Sequence, residues 1–199
     1  MKVFFEKPQD VHRGEKEHAD FVRMVCCADR AMNVDKRKNH VFVFRVTLDI
    51  DESPKMEDGA VNRKIRQSGA VPIREVAVMD HQNLYTLAEG INDAFGFAFD
   101  HCFGFFSTKP GDRYSEADQQ YELFADLPDV EPTPAASVEK TFVHEVWKKP
   151  GDRMAFLFDY GDLWWFTVEL VRIESPARRR YPCTVKNDGR SPLQYPPGR

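Results

Sequence analysis

Residues 40–50, HVFVFRVTLDI, place an apolar side chain at nearly every position. Val41 and Val43 alternate with Phe42 and Phe44, and Val46, Leu48 and Ile50 follow. β-Branched and aromatic residues suit a pleated surface, so this pattern predicts a strand that is apolar on both sides at its start. VPIREVAVMD (71–80) predicts a second strand. The period then changes. In NLYTLAEGINDAFGF (83–97), Leu84, Leu87, Ile91, Ala94 and Phe95 form one helical stripe. Asp80 or Asn83 can cap its start, and Gly96 supplies a left-handed stop. FDHCFGFFS (99–107) reads as a strand, Tyr121–Phe124 as a short strand or helix, and KTFVHEVW (140–147) as a short helix or turn. Residues 52–70 are charged and carry Pro54, Gly59 and Gly69, which predicts a long loop. Upstream, EKEHADFVRMVCCADRAM (15–32) has Phe21, Val22, Val25, Ala28 and Met32 at helical spacing and predicts an amphipathic helix.

Two further strands, RMAFLFDY (153–160) and LWWFTVELVRI (163–173), flank Gly161-Asp162, a pair suited to a two-residue hairpin turn. That register pairs Asp159 with Trp164, Phe158 with Trp165 and Leu157 with Phe166. Both faces are apolar near the turn, so the hairpin is expected inside the sheet. The pentapeptide KPGDR occurs at 109–113 and again at 149–153. Pro followed by Gly at its centre suits a type II turn, and the flanking residues do not match, so this is repeated turn chemistry. The whole predicts an α+β fold: a largely antiparallel sheet with a central β-hairpin, packed by one main helix plus an N-terminal helix. Residues 1–39 are expected to form a helical arm and 40–199 a single domain.

Charge changes this picture by region. The net charge is −4, yet residues 80–146 carry −10 and residues 170–199 carry +5. The segment ARRRYPCTVKNDGR makes Arg178, Arg179, Arg180, Lys186 and Arg190 candidates for contact with an acidic partner, nucleic acid included. No run approaches the ~20 apolar residues of a membrane span, and the N-terminus turns charged after Phe5. The expectation is a cytoplasmic protein without a membrane partner. Cys26, Cys27, Cys102 and Cys183 form no CxxC pair, and buried small hydrophobes are their expected role.

The motifs of several enzyme classes are missing. The chain has no GxxxxGK[ST], no GxGxxG and no GxSxG. HEVW followed by Lys148 lacks the second histidine of a zinc-protease HExxH, so His144 reads as a surface or helix-end residue. Asp100, His101, Asp159 and Asp162 remain as acid–base candidates, since carboxylates beside an imidazole can move protons. Each also has a plain structural role. Asp162 suits a turn, Asp159 can accept an indole or turn N–H, Asp100 can tie a turn, and His101 can be a hydrogen-bonded core histidine. Phe97, Phe99, Phe103, Phe105, Tyr160, Trp164 and Trp165 are candidates to line an apolar pocket.

VFVFRVTL (41–48), LYTLAEGINDAFGFAFDHCFGFF (84–106), KPGDRMAFLFDYGDLWWFTVELVRI (149–173) and RYPCTVKNDGRSPLQYP (180–196) together resemble the plasmid pRiA4b ORF-3-like family. FDYGDxW with a downstream YP is the specific part. The resemblance implies a compact α+β domain and supplies no reaction. Some relatives carry transposon-passenger or resolvase-like labels, but no serine here sits in an arginine-rich constellation. Many members have further histidines where this chain has Phe103 and Phe166, and a cysteine-rich tail where only Cys183 remains. No metal and no cofactor are therefore expected. Three functions stay open: a non-catalytic binding module for a protein or ligand partner, a nucleic-acid-associated protein, and a hydrolase built on the Asp/His cluster.

Overall fold

A computed structural model describes residues 39–126 and 133–197. The helix expected over 15–32, Cys26, Cys27 and residues 127–132 lie outside the described residues. The apolar runs become the strands of one eight-stranded sheet. They are β1 (Val41–Leu48), β2 (Ile73–Met79), β3 (Phe103–Phe106), β4 (Gln120–Glu122), β5 (Ala136–Ser137), β6 (Arg153–Phe158), β7 (Trp164–Glu174) and β8 (Cys183–Asp188). The spatial order is β5-β4-β3-β6-β7-β1-β2-β8. Every pairing is antiparallel except β4 with β5. The fold is α+β, and the β6–β7 hairpin lies inside the sheet.

Among the described residues three helices accompany the sheet: α1 (Ala60–Ser68), α2 (Leu84–Phe95) and α3 (Val143–Val146). α2 follows the predicted stripe. Asn83 caps it by accepting from the Thr86 N–H at 3.0 Å, and Gly96 ends it at φ 73°. Leu84, Leu87, Ala88, Ile91 and Phe95 are buried against one sheet face, which presents Phe44, Val46, Val76, Phe103, Phe105, Phe156, Phe158, Trp164, Phe166 and Val168. The opposite face holds two smaller clusters, one around Phe106, Leu157 and Trp165 and one around Val41, Val43 and Ala77. Both KPGDR segments turn as expected. Gly111 and Gly151 sit at φ 83° and 97°, and Asp112 and Asp152 donate back to Lys109 and Lys149. This is the positive φ that a type II turn demands at its third residue.

Three local expectations are corrected. Residues 52–70 are not a loop: a short 3-10 turn at Pro54–Glu57 precedes α1. α1 buries only Asn62 and Ile65, so its apolar stripe is too narrow to stand out among its charges. The strand expected over 99–107 shrinks to β3, because 97–102 forms an irregular loop. The hairpin register is displaced by one: Phe158 faces Trp164, Leu157 faces Trp165 and Phe156 faces Phe166. Residues 159–163 form a longer connection in which Asp159 Oδ1 accepts from the Gly161 and Asp162 N–H groups at 2.9 and 3.1 Å. The Leu163 N–H returns to the Asp159 carbonyl at 2.7 Å. Asp159 and Leu163 take positive φ values of 59° and 53°. Strand side chains alternate, so this single step exchanges faces. Phe156 and Phe158 join Trp164 and Phe166 in the main core, and Leu157 joins Trp165 opposite.

Asn62 explains why the modest α1 matters. Its side chain is fully buried. Its Nδ2 donates to the carbonyls of Lys55 and Leu193 at 3.0 and 2.9 Å, and its Oδ1 accepts from the Leu193 N–H at 2.7 Å. This fastens the C-terminal strap, Leu193–Tyr195, to the domain. Removing a buried partner costs about 1–3 kcal/mol. Asn62→Ala should therefore lower the unfolding free energy in urea by about 2 kcal/mol. Lys64→Ala on the exposed side of the same helix should stay within about 0.5 kcal/mol of the parent.

Candidate functional site

Asp100 and His101 sit in the loop that carries the chain from α2 to β3, and Asp159 opens the β6–β7 connection. The Asp159 N–H donates to the Cys102 carbonyl at 2.9 Å, which ties the two loops together. Their side chains meet. His101 Nδ1 lies 2.8 Å from Asp100 Oδ1, and His101 Nε2 lies 3.6 Å from Asp159 Oδ2. Asp159 is nearly closed off from solvent, at 8% side-chain exposure, whereas His101 is 40% exposed. His101 is thus a surface imidazole between two carboxylates, in place of the core histidine expected. Asp162 does not join them directly; its carboxylate pairs with Lys55 Nζ at 3.1 Å.

The strap adds groups that sequence reading missed. Tyr195 Oη donates to Asp100 Oδ2 at 2.8 Å and lies 3.3 Å from His101 Nδ1. The buried Gln194 accepts from the Ala98 N–H at 2.6 Å and donates to the Ala98 carbonyl at 3.2 Å and to Asp100 Oδ1 at 3.3 Å. These residues stand more than ninety positions beyond Asp100 in the chain. No local pattern connects them.

Each proton equilibrium here follows from those contacts. The hydrogen bond from His101 holds the Asp100 carboxyl below its ordinary range, and Tyr195 adds to this. The hydrogen bond to Asp100 raises the His101 imidazole, and the charge of Asp159 raises it further. Burial, then the hydrogen bond to Asp100, pushes the Tyr195 phenol up to about 12. For stability, the Asp100 contribution is present above the ordinary carboxylate range and disappears as pH falls through its lowered pKa. The His101 contribution is full below the ordinary imidazole value and disappears as pH rises through its raised pKa. The pair therefore contributes most between the ordinary carboxylate and imidazole values, and the contribution fades outside that interval.

Beside this cluster lies a cleft of about 350 Å³. Tyr85, Phe99, Phe103, Leu123 and Phe124 give it apolar walls, and Asp100, His101 and Cys102 line its polar side. Tyr85, Phe99 and Phe103 pack mutually, with ring centroids 5.1–5.9 Å apart. Phe124 is 48% exposed, and its backbone holds φ 68°, a costly conformation for a bulky residue. Of the pocket candidates, only Phe103, with Phe99, lines this cleft. Trp164 and Trp165 are buried on opposite sheet faces. Phe97 and Phe105 pack in the main core. The Tyr160 hydroxyl donates to Glu122 at 2.7 Å, and burial, then that carboxylate, raises its pKa. The Trp164 indole N–H finds no acceptor, so Asp159 serves the turn and not the indole. Arg178, Arg179, Arg180, Lys186 and Arg190 are all exposed, and none enters an ion pair among the described residues.

His101 Nδ1 is hydrogen-bonded to Asp100, while Nε2, 3.6 Å from Asp159 Oδ2, is near that carboxylate without a hydrogen bond to it. An NMR titration should place the His101 midpoint above the ordinary imidazole value of about 6.5. Asp100→Asn should move it down. An ordinary midpoint that ignores the substitution would contradict this geometry.

Comparisons with known proteins agree with the fold. No curated protein matches the chain. A crystal structure of a protein of unknown function, MM3350 from Methanosarcina mazei Go1, is similar with a TM-score of 0.54 at 15% identity, covering 77% of this chain and 72% of that one. That likeness concerns the fold alone. The model of the plasmid pRiA4b ORF-3-like proteins matches residues 60–194, a span that contains α1, the central hairpin, the Asp100–His101–Asp159 cluster and all but Tyr195 of the strap. The chain belongs to the plasmid pRiA4b ORF-3-like family.

Proposed function

We propose that this protein is a non-catalytic binding module whose ligand sits in the cleft walled by Tyr85, Phe99, Phe103, Leu123 and Phe124. The observation that carries this reading is the pairing of an apolar concavity with a fixed polar edge. Ligand sites combine apolar walls, which supply affinity, with a few convergent polar groups, which orient the ligand. Here the polar edge is held in advance by the strap and by the hairpin loop, so little ordering is left to the binding step. The hydrolase alternative has three of its four candidate groups in one place, but Asp162 pairs with Lys55 instead. A cytoplasmic setting belongs to the same proposal, and the free thiols of Cys102 and Cys183 are compatible with a reducing compartment.

The test is a series of amide-correlation NMR titrations with blocked single amino acids: N-acetyl amides of phenylalanine, leucine, lysine and arginine. At least one should give saturable shifts confined to residues around the cleft, and Phe99→Ala should abolish them. The absence of localised shifts with all four would overturn the reading.

The exposed cations Arg178, Arg179, Arg180, Lys186 and Arg190 favour a second reading, nucleic-acid association on a separate surface. Phosphate contacts release counterions, so such binding should appear at low salt and weaken steeply as salt rises. Replacing Arg178, Arg179 and Arg180 together by alanine should remove it. No mobility shift with DNA or RNA at low salt would exclude it.

A further inference from the structure

We infer that the occupant of the cleft is a basic side chain, lysine or arginine, presented by a polypeptide partner. This rests on the binding reading above and adds the chemistry of the ligand. The first support is the wall. Tyr85, Phe99 and Phe103 bring three aromatic rings within 5.1–5.9 Å of one another. Ring faces carry negative electrostatic potential and attract cations, and the methylene stem of a basic side chain packs on apolar carbon.

The second support is charge at the edge. Asp100, Asp159 and Asp162 are three carboxylates, while the basic groups that face them are the His101 imidazole and the Lys55 ammonium. Lys55 is shared between Asp162 and Asp58, and His101 lies between Asp100 and Asp159, so negative charge remains in excess even with His101 protonated. Asp100 is the exposed member, with 47% of its side chain open to solvent. Its Oδ1 takes His101, Gln194 and Tyr195, but its Oδ2 accepts from Tyr195 alone. A carboxylate oxygen offers about two acceptor sites. Oδ2 therefore has room for one more donor at the edge of the cleft. The stretch of sequence that carries Asp100 is also acidic, at −10 over residues 80–146, which favours encounter with a cationic partner.

A neutral apolar anchor would fill the same walls but would leave the Asp100 charge facing carbon. The comparison that decides is therefore lysine against norleucine, which keeps the stem and lacks the ammonium. Dissociation constants for the N-acetyl amides of lysine, arginine and norleucine would be measured by the same NMR titration at low salt. The expected result is lysine and arginine binding about tenfold more tightly than norleucine. Asp100→Asn should reduce that ratio to about threefold or less. Norleucine binding as tightly as lysine would overturn the cationic inference and leave the binding reading standing. Failure of all three probes at the cleft would overturn the cationic inference, and the binding reading falls with it only if the phenylalanine and leucine amides fail as well. The lysine–norleucine comparison is made on the unaltered protein, so the outcome does not depend on how the Asp100 variant folds.

Discussion

The Asp159 carboxylate is the constraint on which the fold and the site both depend. One oxygen accepts from the Gly161 and Asp162 N–H groups and shapes the connection between β6 and β7. The other faces His101 at 3.6 Å. The first contact fixes which side of the sheet each aromatic residue of the hairpin occupies, because a one-residue slip would exchange Phe158 and Trp165 between faces. The second carries that choice outward to the surface. A charged group near the end of an apolar strand thus finds partners on both sides, as a nearly buried carboxylate must.

From this anchor the site is assembled by pieces distant in sequence. The loop after α2 supplies Asp100 and His101, the hairpin supplies Asp159, and the strap supplies Gln194 and Tyr195. Asn62 holds the strap in turn, so a small helix with little core of its own contributes to the geometry of a site it does not line. The hydrogen bonds that raise the His101 pKa and lower that of Asp100 are the same ones that keep the cleft edge in place. Positional order and electrostatics here have one origin.

The sheet was legible because its signals are local. Alternating Val and Phe in β1, the stripe of α2 and the Pro-Gly turns each declare themselves within about ten residues. The pattern puts the hairpin in the right part of the chain but one step out of register, because Gly161-Asp162 looks like a complete turn until the Asp159 side chain competes for its N–H groups. α1 was hidden by its charge. The convergence of Asp100, His101 and Asp159 was open in the sequence as a possibility and had to be decided by tertiary structure. Tyr85 and Phe124 carried no mark of their own: one lies beside a helix stripe and the other in an acidic loop, and only the fold brings them to the same cleft.

The most direct measurement is a crystal structure of the protein soaked with N-acetyl-arginine amide. The predicted result is density for the side chain along Tyr85, Phe99 and Phe103, with the guanidinium within hydrogen-bond distance of Asp100 Oδ2. Density for the probe at other acidic positions, with the cleft left open, would contradict it.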